Sequence, residues 1–269
     1  MRMNKMRILR LRKMKEEKKK IVMLTAYDYF TAKLMDEANV DIVLVGDSVG
    51  MVQLGFSDTL SVTMEMMIHH CSAVRRGLKS AMLVGDMPFM TYKISEDEAL
   101  RNAARLVQEA GCEAVKIEGG EAAAPFAARI VKAGIPVMGH VGLTPQSVHQ
   151  LGGYRIQGRQ EEDVERLIND ARAIERAGAF CIVIEAVPSE VGKRITESVN
   201  VPTIGIGAGP DCDGQVLVIN DMLGLTDKKP PSFVKQYADL GSTAKKAIEE
   251  YAKEVREGSY PDKNHSYQS

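Results

Sequence analysis

Eight short apolar runs alternate with longer amphipathic stretches along this chain, and no other feature restricts its fold so tightly. The runs are IVMLTA (21–26), IVLVG (42–46), AMLVG (81–85), AVKIE (114–118), PVMGH (136–140), FCIVIE (180–185), PTIGIG (202–207) and VLVIN (216–220). Between and after them the spacing of apolar residues predicts helices over 31–38, 64–76, 96–110, 121–133, 161–177, 189–199 and 233–257. Gly77, Gly111, Gly134 and Gly178 stand where helices would end, Ser95 with Glu98 has capping-box spacing, and Pro136 and Pro202 open strands, where proline is tolerated. Strands apolar along their whole length are covered on both faces and read as parallel. Eight such units in 269 residues predict an α/β protein: a (β/α)8 TIM barrel forming a single domain over 21–269, with a basic arm or helix at 1–20 and a C-terminal helix. The alternative is an open doubly wound sheet. Against it, LTAYDYF rather than a Gly-rich phosphate loop follows the first strand.

Partners are narrowed by charge. The formal net charge is −1, so no global field favours nucleic acid or membrane. No stretch approaches the roughly 20 apolar residues of a membrane span. The arm MRMNKMRILRLRKMKEEKKK is strongly basic but lacks the apolar core of a signal peptide, and a solvated arm or first helix is the simplest expectation. Cys71, Cys112, Cys181 and Cys212 are too widely spaced for a zinc site and read as packed thiols in a reducing cytoplasm.

In a barrel, the C-terminal strand ends face the active site. Here those ends carry Asp47 with Ser48, Asp86, Lys116 with Glu118, His140 and Glu185. Carboxylates crowded in one cavity repel, and a divalent cation relieves them; oxygen donors suit Mg²⁺. Asp47, Asp86 and Glu118 are the candidate ligands. Lys116 shares a strand face with Glu118 and reads as a Schiff-base nucleophile, a cation for a substrate carboxylate, or a structural ion pair. His140 reads as a substrate neighbour or a satisfied rim residue. Glu185, closing a strongly apolar strand, is the candidate general base; a metal ligand or a partner for Lys116 is its plainer reading. Asp28 fits a helix N-cap, and His69-His70 fits packing. The loop over 144–159, with Gly152-Gly153, is a candidate lid, and GIGAG (205–209) is either an anion-binding turn or a plain one.

Taken in order, TAYDYFTAKL, VGDSVGM, HHCSAVRRG, GDMPFMTY, VKIEGGE, GHVGLTPQSV, GGYRIQGR, IGIGAGPDCDGQVLV and EVREGSYPD resemble the ketopantoate hydroxymethyltransferase family over nearly the full length. The resemblance implies transfer of a hydroxymethyl group from 5,10-methylenetetrahydrofolate to 3-methyl-2-oxobutanoate through a Mg²⁺-stabilised enolate. The product would be 2-dehydropantoate, on the route to pantothenate and coenzyme A. It implies Asp47 and Asp86 as metal ligands with Glu118 in or just outside the shell. Ser48 and Lys116 would hold the keto acid alongside Asp47 and Asp86, with His140 beside it and Glu185 as proton acceptor. It also implies a cytoplasmic homo-oligomer, often a decamer. Two other readings remain: a Mg²⁺-dependent lyase of the phosphoenolpyruvate mutase and isocitrate lyase type, and a non-catalytic anion-binding barrel.

Overall fold

Side chains alternate between two faces along a strand, and here both faces are buried except along the first and last strands, where Val22 and Gln215 are exposed. A computed structural model of the protein describes residues 5–226 and 229–268. Residues 1–4 of the arm, Ser269, and Asp227 and Lys228 of the turn expected over 224–232 lie outside that set. The strands are β1 (Ile21–Thr25), β2 (Ile42–Val45), β3 (Met82–Asp86), β4 (Ala114–Lys116), β5 (Val137–Gly142), β6 (Cys181–Glu185), β7 (Thr203–Ile206) and β8 (Gly214–Leu217). All pair in parallel with their sequence neighbours, and β1 closes on β8. Met23 lies opposite both Ile42 and Val216. Among the inward residues, Ile21, Met23, Ile42, Leu44, Met82, Val84, Met138, Val183 and Ile204 belong to one buried cluster. Outward residues such as Val43, Leu83, Val115 and Ile182 are equally buried beneath the surrounding helices. That double burial is why the runs read as unbroken apolar sequence.

The helices of this unit are α1 (Ile8–Glu16), α2 (Tyr29–Glu37), α3 (Val49–Val52), α4 (Met64–Gly77), α5 (Glu96–Gln108), α6 (Ala124–Lys132), α7 (Glu161–Arg176) and α8 (Ser189–Glu197). Asp28 caps α2, its carboxylate accepting from Thr31 N at 2.8 Å, and Ser95 caps α5 by accepting from Glu98 N. Gly111, Gly134 and Gly178 have positive φ, whereas Gly77 stays helical and gives room for the Tyr29 carbonyl. The four cysteines are buried free thiols.

Residues 5–20 are not a solvated arm. Met6 and Leu11 join the barrel's buried cluster, with Ile8 and Met14 packed against it. Their anchors all precede strands: Met6 N donates to Ser80 O, and Lys15 Nζ meets Val201 O at 3.0 Å and Asp213 Oδ2 at 2.8 Å. Lys20 Nζ donates to Cys212 O, and Lys5 pairs with Glu113. The segment therefore plugs the N-terminal floor of the barrel, and three of its lysines, Lys5, Lys15 and Lys20, meet floor carbonyls and carboxylates.

Residues 219–269 form a second compact unit, with α9 (Ile219–Leu223) and α10 (Leu240–Glu257). The last helix begins at Leu240 rather than at 233, because Asp239 caps it by accepting from Ser242 N. β8 likewise lies at 214–217 rather than 216–220, set by the pairing of Gly214 with Ile21. Among the described residues, no helix is long and apolar enough to cross a membrane.

Candidate active site

The same alternation that builds the core builds the site. Each inward row ends, one step above its last apolar residue, in a cavity-lining position: Thr25 above Met23, Gly46 above Leu44, Asp86 above Val84, Lys116 above Ala114, His140 above Met138, Glu185 above Val183 and Ile206 above Ile204. Glu118 extends the β4 row, because ladder hydrogen bonds continue past the strand's end through Ile117 N to Met138 O and Gly119 N to His140 O. Asp47 and Ser48 sit in the turn leading into α3. At five of these seven positions, all but Gly46 and Ile206, a polar side chain replaces an apolar one where the barrel interior opens. The cavity they line holds about 160 Å³, room for roughly five waters.

The candidate residues converge. Oxygens of Asp47, Asp86 and Glu118 all lie within 4.8 Å of one another, and each of these side chains is nearly fully buried. Lys116 Nζ stands 2.9 Å from Asp86 Oδ1, 3.5 Å from Glu118 Oε1 and 3.2 Å from His140 Nδ1. His140 Nε2 is 3.2 Å from Glu185 Oε2. Ser48 Oγ contacts Tyr27 OH at 2.8 Å, and Tyr27 O receives His70 Nδ1 at 2.7 Å, which gives His70 a packing role.

Electrostatics separate these groups. Burial pushes the Asp47 carboxyl well up, and the charges of Asp86 and Glu118 add to it. Burial also raises Asp86, against the opposing pull of Lys116. Glu118 resists its burial, because Lys116 and the His140 and Gln146 hydrogen bonds hold it down to about 2. His140 is lifted to about 9: burial and Lys116 press it down, but Glu118 and Glu185 outweigh them. Lys116 rises above its ordinary value despite burial, because three carboxylates surround it. Its pairing with Asp86 at 2.9 Å and Glu118 at 3.5 Å fits the two cationic readings of Lys116.

The donor set fits a divalent metal ion. When all four carboxylates are ionised, four negative charges face two positive ones, Lys116 and protonated His140. Asp86 Oδ1, despite its close ammonium, has no aligned hydrogen-bond donor. A proton or a cation must meet this excess, and oxygen donors in this number suit a hard divalent ion. In the cavity wall, Thr59 Oγ1 is buried with no hydrogen-bond partner among the described residues.

Three contributors escaped sequence reasoning. Gln146, Tyr92 and Thr59 are buried at the site, yet nothing in their spacing sets them apart from loop residues. The two ends of the expected lid are pinned: Gln146 reaches Asp47, and Gln157 N donates to Ala186 O at 2.9 Å. Ala186 carries a φ of 49° directly after Glu185, a conformation that costs a non-glycine residue about 1 kcal/mol or more. Of the GIGAG segment, Ile206 reaches the cavity among the described residues, while Gly207 and Gly209 form a turn of positive φ.

A closed parallel barrel with acid, ammonium and imidazole at its C-terminal mouth defines a (β/α)8 enzyme with a buried acidic cluster able to hold a metal ion. Residues 5–263 match the profile of the ketopantoate hydroxymethyltransferases. The 3-methyl-2-oxobutanoate hydroxymethyltransferase of Thermoanaerobacter sp. (strain X514) is 55% identical over 263 residues, 98% of this chain and 96% of that protein. That of Syntrophomonas wolfei is 55% identical over 257 residues, 96% and 93% of the two chains. Among solved structures, a 2,3-dimethylmalate lyase of the PEP mutase/isocitrate lyase superfamily aligns with a TM-score of 0.61 at 17% identity, covering 96% of this chain and 91% of that one. A phosphonopyruvate hydrolase aligns with a TM-score of 0.62 at 14% identity, covering 98% and 92%. Likeness at that level is one of fold. The chain belongs to the ketopantoate hydroxymethyltransferase family.

Proposed function

We propose that this enzyme moves a one-carbon unit from 5,10-methylenetetrahydrofolate to C3 of 3-methyl-2-oxobutanoate, giving 2-dehydropantoate for pantothenate synthesis. The observation that carries the assignment of roles is the separation of one carboxylate from the rest. Glu185 keeps 18% of its side chain exposed and touches the cluster only through His140, whereas Asp86 and Glu118 are closed in at 1%. The clustered carboxylates suit a cation, and the separate one suits a proton acceptor. Mg²⁺ held by Asp47 and Asp86, with Glu118 in or beside its shell, would supply Lewis acidity at the keto oxygen.

The protein's own groups do the remaining work. Lys116 and Ser48 hold the keto acid, Lys116 as a fixed positive charge for its carboxylate. His140 orients Glu185 and contributes positive charge beside the substrate. Glu185 takes the proton from C3, and the C3 electron pair bonds to the folate methylene carbon as one of its two bonds to nitrogen breaks; water oxygen then bonds to that carbon as the second carbon–nitrogen bond breaks, and the released protons go to the nitrogens of the departing tetrahydrofolate. The cavity's volume suits a small acid rather than a pterin, so the folate approaches from the open side. There the loop over 144–159 presents Tyr154, half-exposed in the cavity wall. A cytoplasmic homo-oligomer is part of the same proposal.

The test is Mg²⁺-dependent deuterium exchange at C3 of 3-methyl-2-oxobutanoate, with no folate present. Glu185→Gln should lower the exchange rate at least about 100-fold while binding the keto acid as wild type does. Undiminished exchange would remove Glu185 from the role. The assay also separates the rivals: a lyase would act on other acids, and a binding module would exchange nothing.

A further inference from the structure

Gln146 begins the loop after β5, in a short 3-10 turn (Pro145–Ser147), and only 2% of it is exposed. Burying an amide among charges is costly unless each polar atom is satisfied. Here each one is. Nε2 donates to Asp47 Oδ2 and to Met87 O, both at 2.9 Å. Oε1 accepts from Tyr92 OH at 2.9 Å. The backbone N–H donates to Glu118 Oε2 at 3.0 Å. One residue therefore grips two of the three clustered carboxylates and ties together the ends of β2, β3, β4 and β5.

The amide can face only one way. Turned over, its carbonyl would confront a carboxylate and a second carbonyl while both N–H donors faced a phenol. Tyr92 favours the observed orientation. Its hydroxyl accepts from Glu118 N at 3.0 Å, and its single proton has Gln146 Oε1 at 2.9 Å and the Glu118 carbonyl at 3.0 Å as acceptors. Tyr92 is fully buried. Carboxylates that repel one another swing apart unless donors hold them, and Gln146 supplies two such donors, one to Asp47 and one to Glu118, without adding charge.

We propose that Gln146 is a positioning residue for the cation site, fixing one oxygen of Asp47 and one of Glu118, with Tyr92 locking its amide. The proposal rests on the reading of Asp47, Asp86 and Glu118 as that site. It makes the loop over 144–159 a structural part of the cation site as well as a cover for it.

The probe is Mn²⁺, whose free ion is counted by electron paramagnetic resonance during titration of the full-length enzyme. Gln146→Met keeps the volume and removes both side-chain donors; it should weaken Mn²⁺ binding 10–100-fold, the range for groups that orient ligands from outside the shell. In steady state the Mg²⁺ concentration for half activation should rise by a similar factor, with kcat largely recovered at saturation. Tyr92→Phe, the milder change, should weaken binding several-fold. Mn²⁺ affinity within twofold of wild type in Gln146→Met, while Asp47→Ala loses the ion, would overturn the positioning role and leave the site intact. Should Asp47→Ala bind Mn²⁺ like wild type, the cation-site reading itself falls, and the proposal with it.

Discussion

Asp36 shows how much one buried carboxylate can organise. Its Oδ1 accepts from Ser80 N at 2.8 Å, Ser80 Oγ at 3.0 Å and Ala81 N at 2.8 Å, pinning the approach to β3. Burial presses its pKa upward, yet those donors win and hold it below 3.8. Asp36→Ala should cost about 2–4 kcal/mol, because it strands a buried N–H besides losing charged hydrogen bonds. A folded pKa below the unfolded one means the stabilisation is whole above pH 3.8 and is lost as pH falls through the lower, folded value. Denaturant unfolding of the two proteins from pH 7 downward should show a constant gap that narrows only below about pH 4. Narrowing already at pH 6 would assign the pH dependence to another group. At this same scale, the site was only partly legible. Asp47, Asp86, Lys116, Glu118, His140 and Glu185 could be found because a charge that breaks an apolar run is visible in one dimension. Gln146 and Tyr92 could not. Their partners lie 99 and 54 residues away along the chain, and an amide in a TPQS turn reads like any loop residue.

Whole elements were legible where local chemistry and tertiary packing agree. Strands β1 to β7 fall within two residues of their apolar runs, and α5 starts at its capping box. Disagreement appears where a long-range pairing decides, as at β8, or where a proline intervenes, as at the start of α6, where Pro125 occupies the first turn. Helix α8 poses a direct contest between propensity and packing. Gly192 lies in its interior, where alanine would favour the helix by up to about 1 kcal/mol. A Cβ there would run into the backbone oxygen of Ala208, in the turn after β7. Backbone cannot step aside as a side chain can, so Gly192→Ala should destabilise by about 1–3 kcal/mol. The melting temperature checks this. A rise would show that the turn yields and that propensity wins.

At the scale of the molecule, the barrel has a floor made from the beginning of its own chain. Leu11, fully buried among the strand residues, should lose about 2–5 kcal/mol on replacement by alanine, measured by denaturant unfolding. A loss under about 0.5 kcal/mol, the range of ordinary surface substitutions, would show that the floor closes without it. This was the least legible part of the fold. A run of lysines and arginines looks solvated in sequence, and only the assembled barrel supplies the carbonyls of Val201 and Cys212 and the carboxylate of Asp213 that receive them.

The order of synthesis gives that floor a further meaning. Lys15 and Asp213 stand 198 positions apart, so this segment waits for partners made much later. Contacts so distant are slow to form and unrewarded until the intervening chain has been arranged. Helix α1 is thus fully anchored only once the approach to β8 has been made. Until then, the apolar underside of the barrel stays open to water and to other chains, the condition in which nascent proteins aggregate.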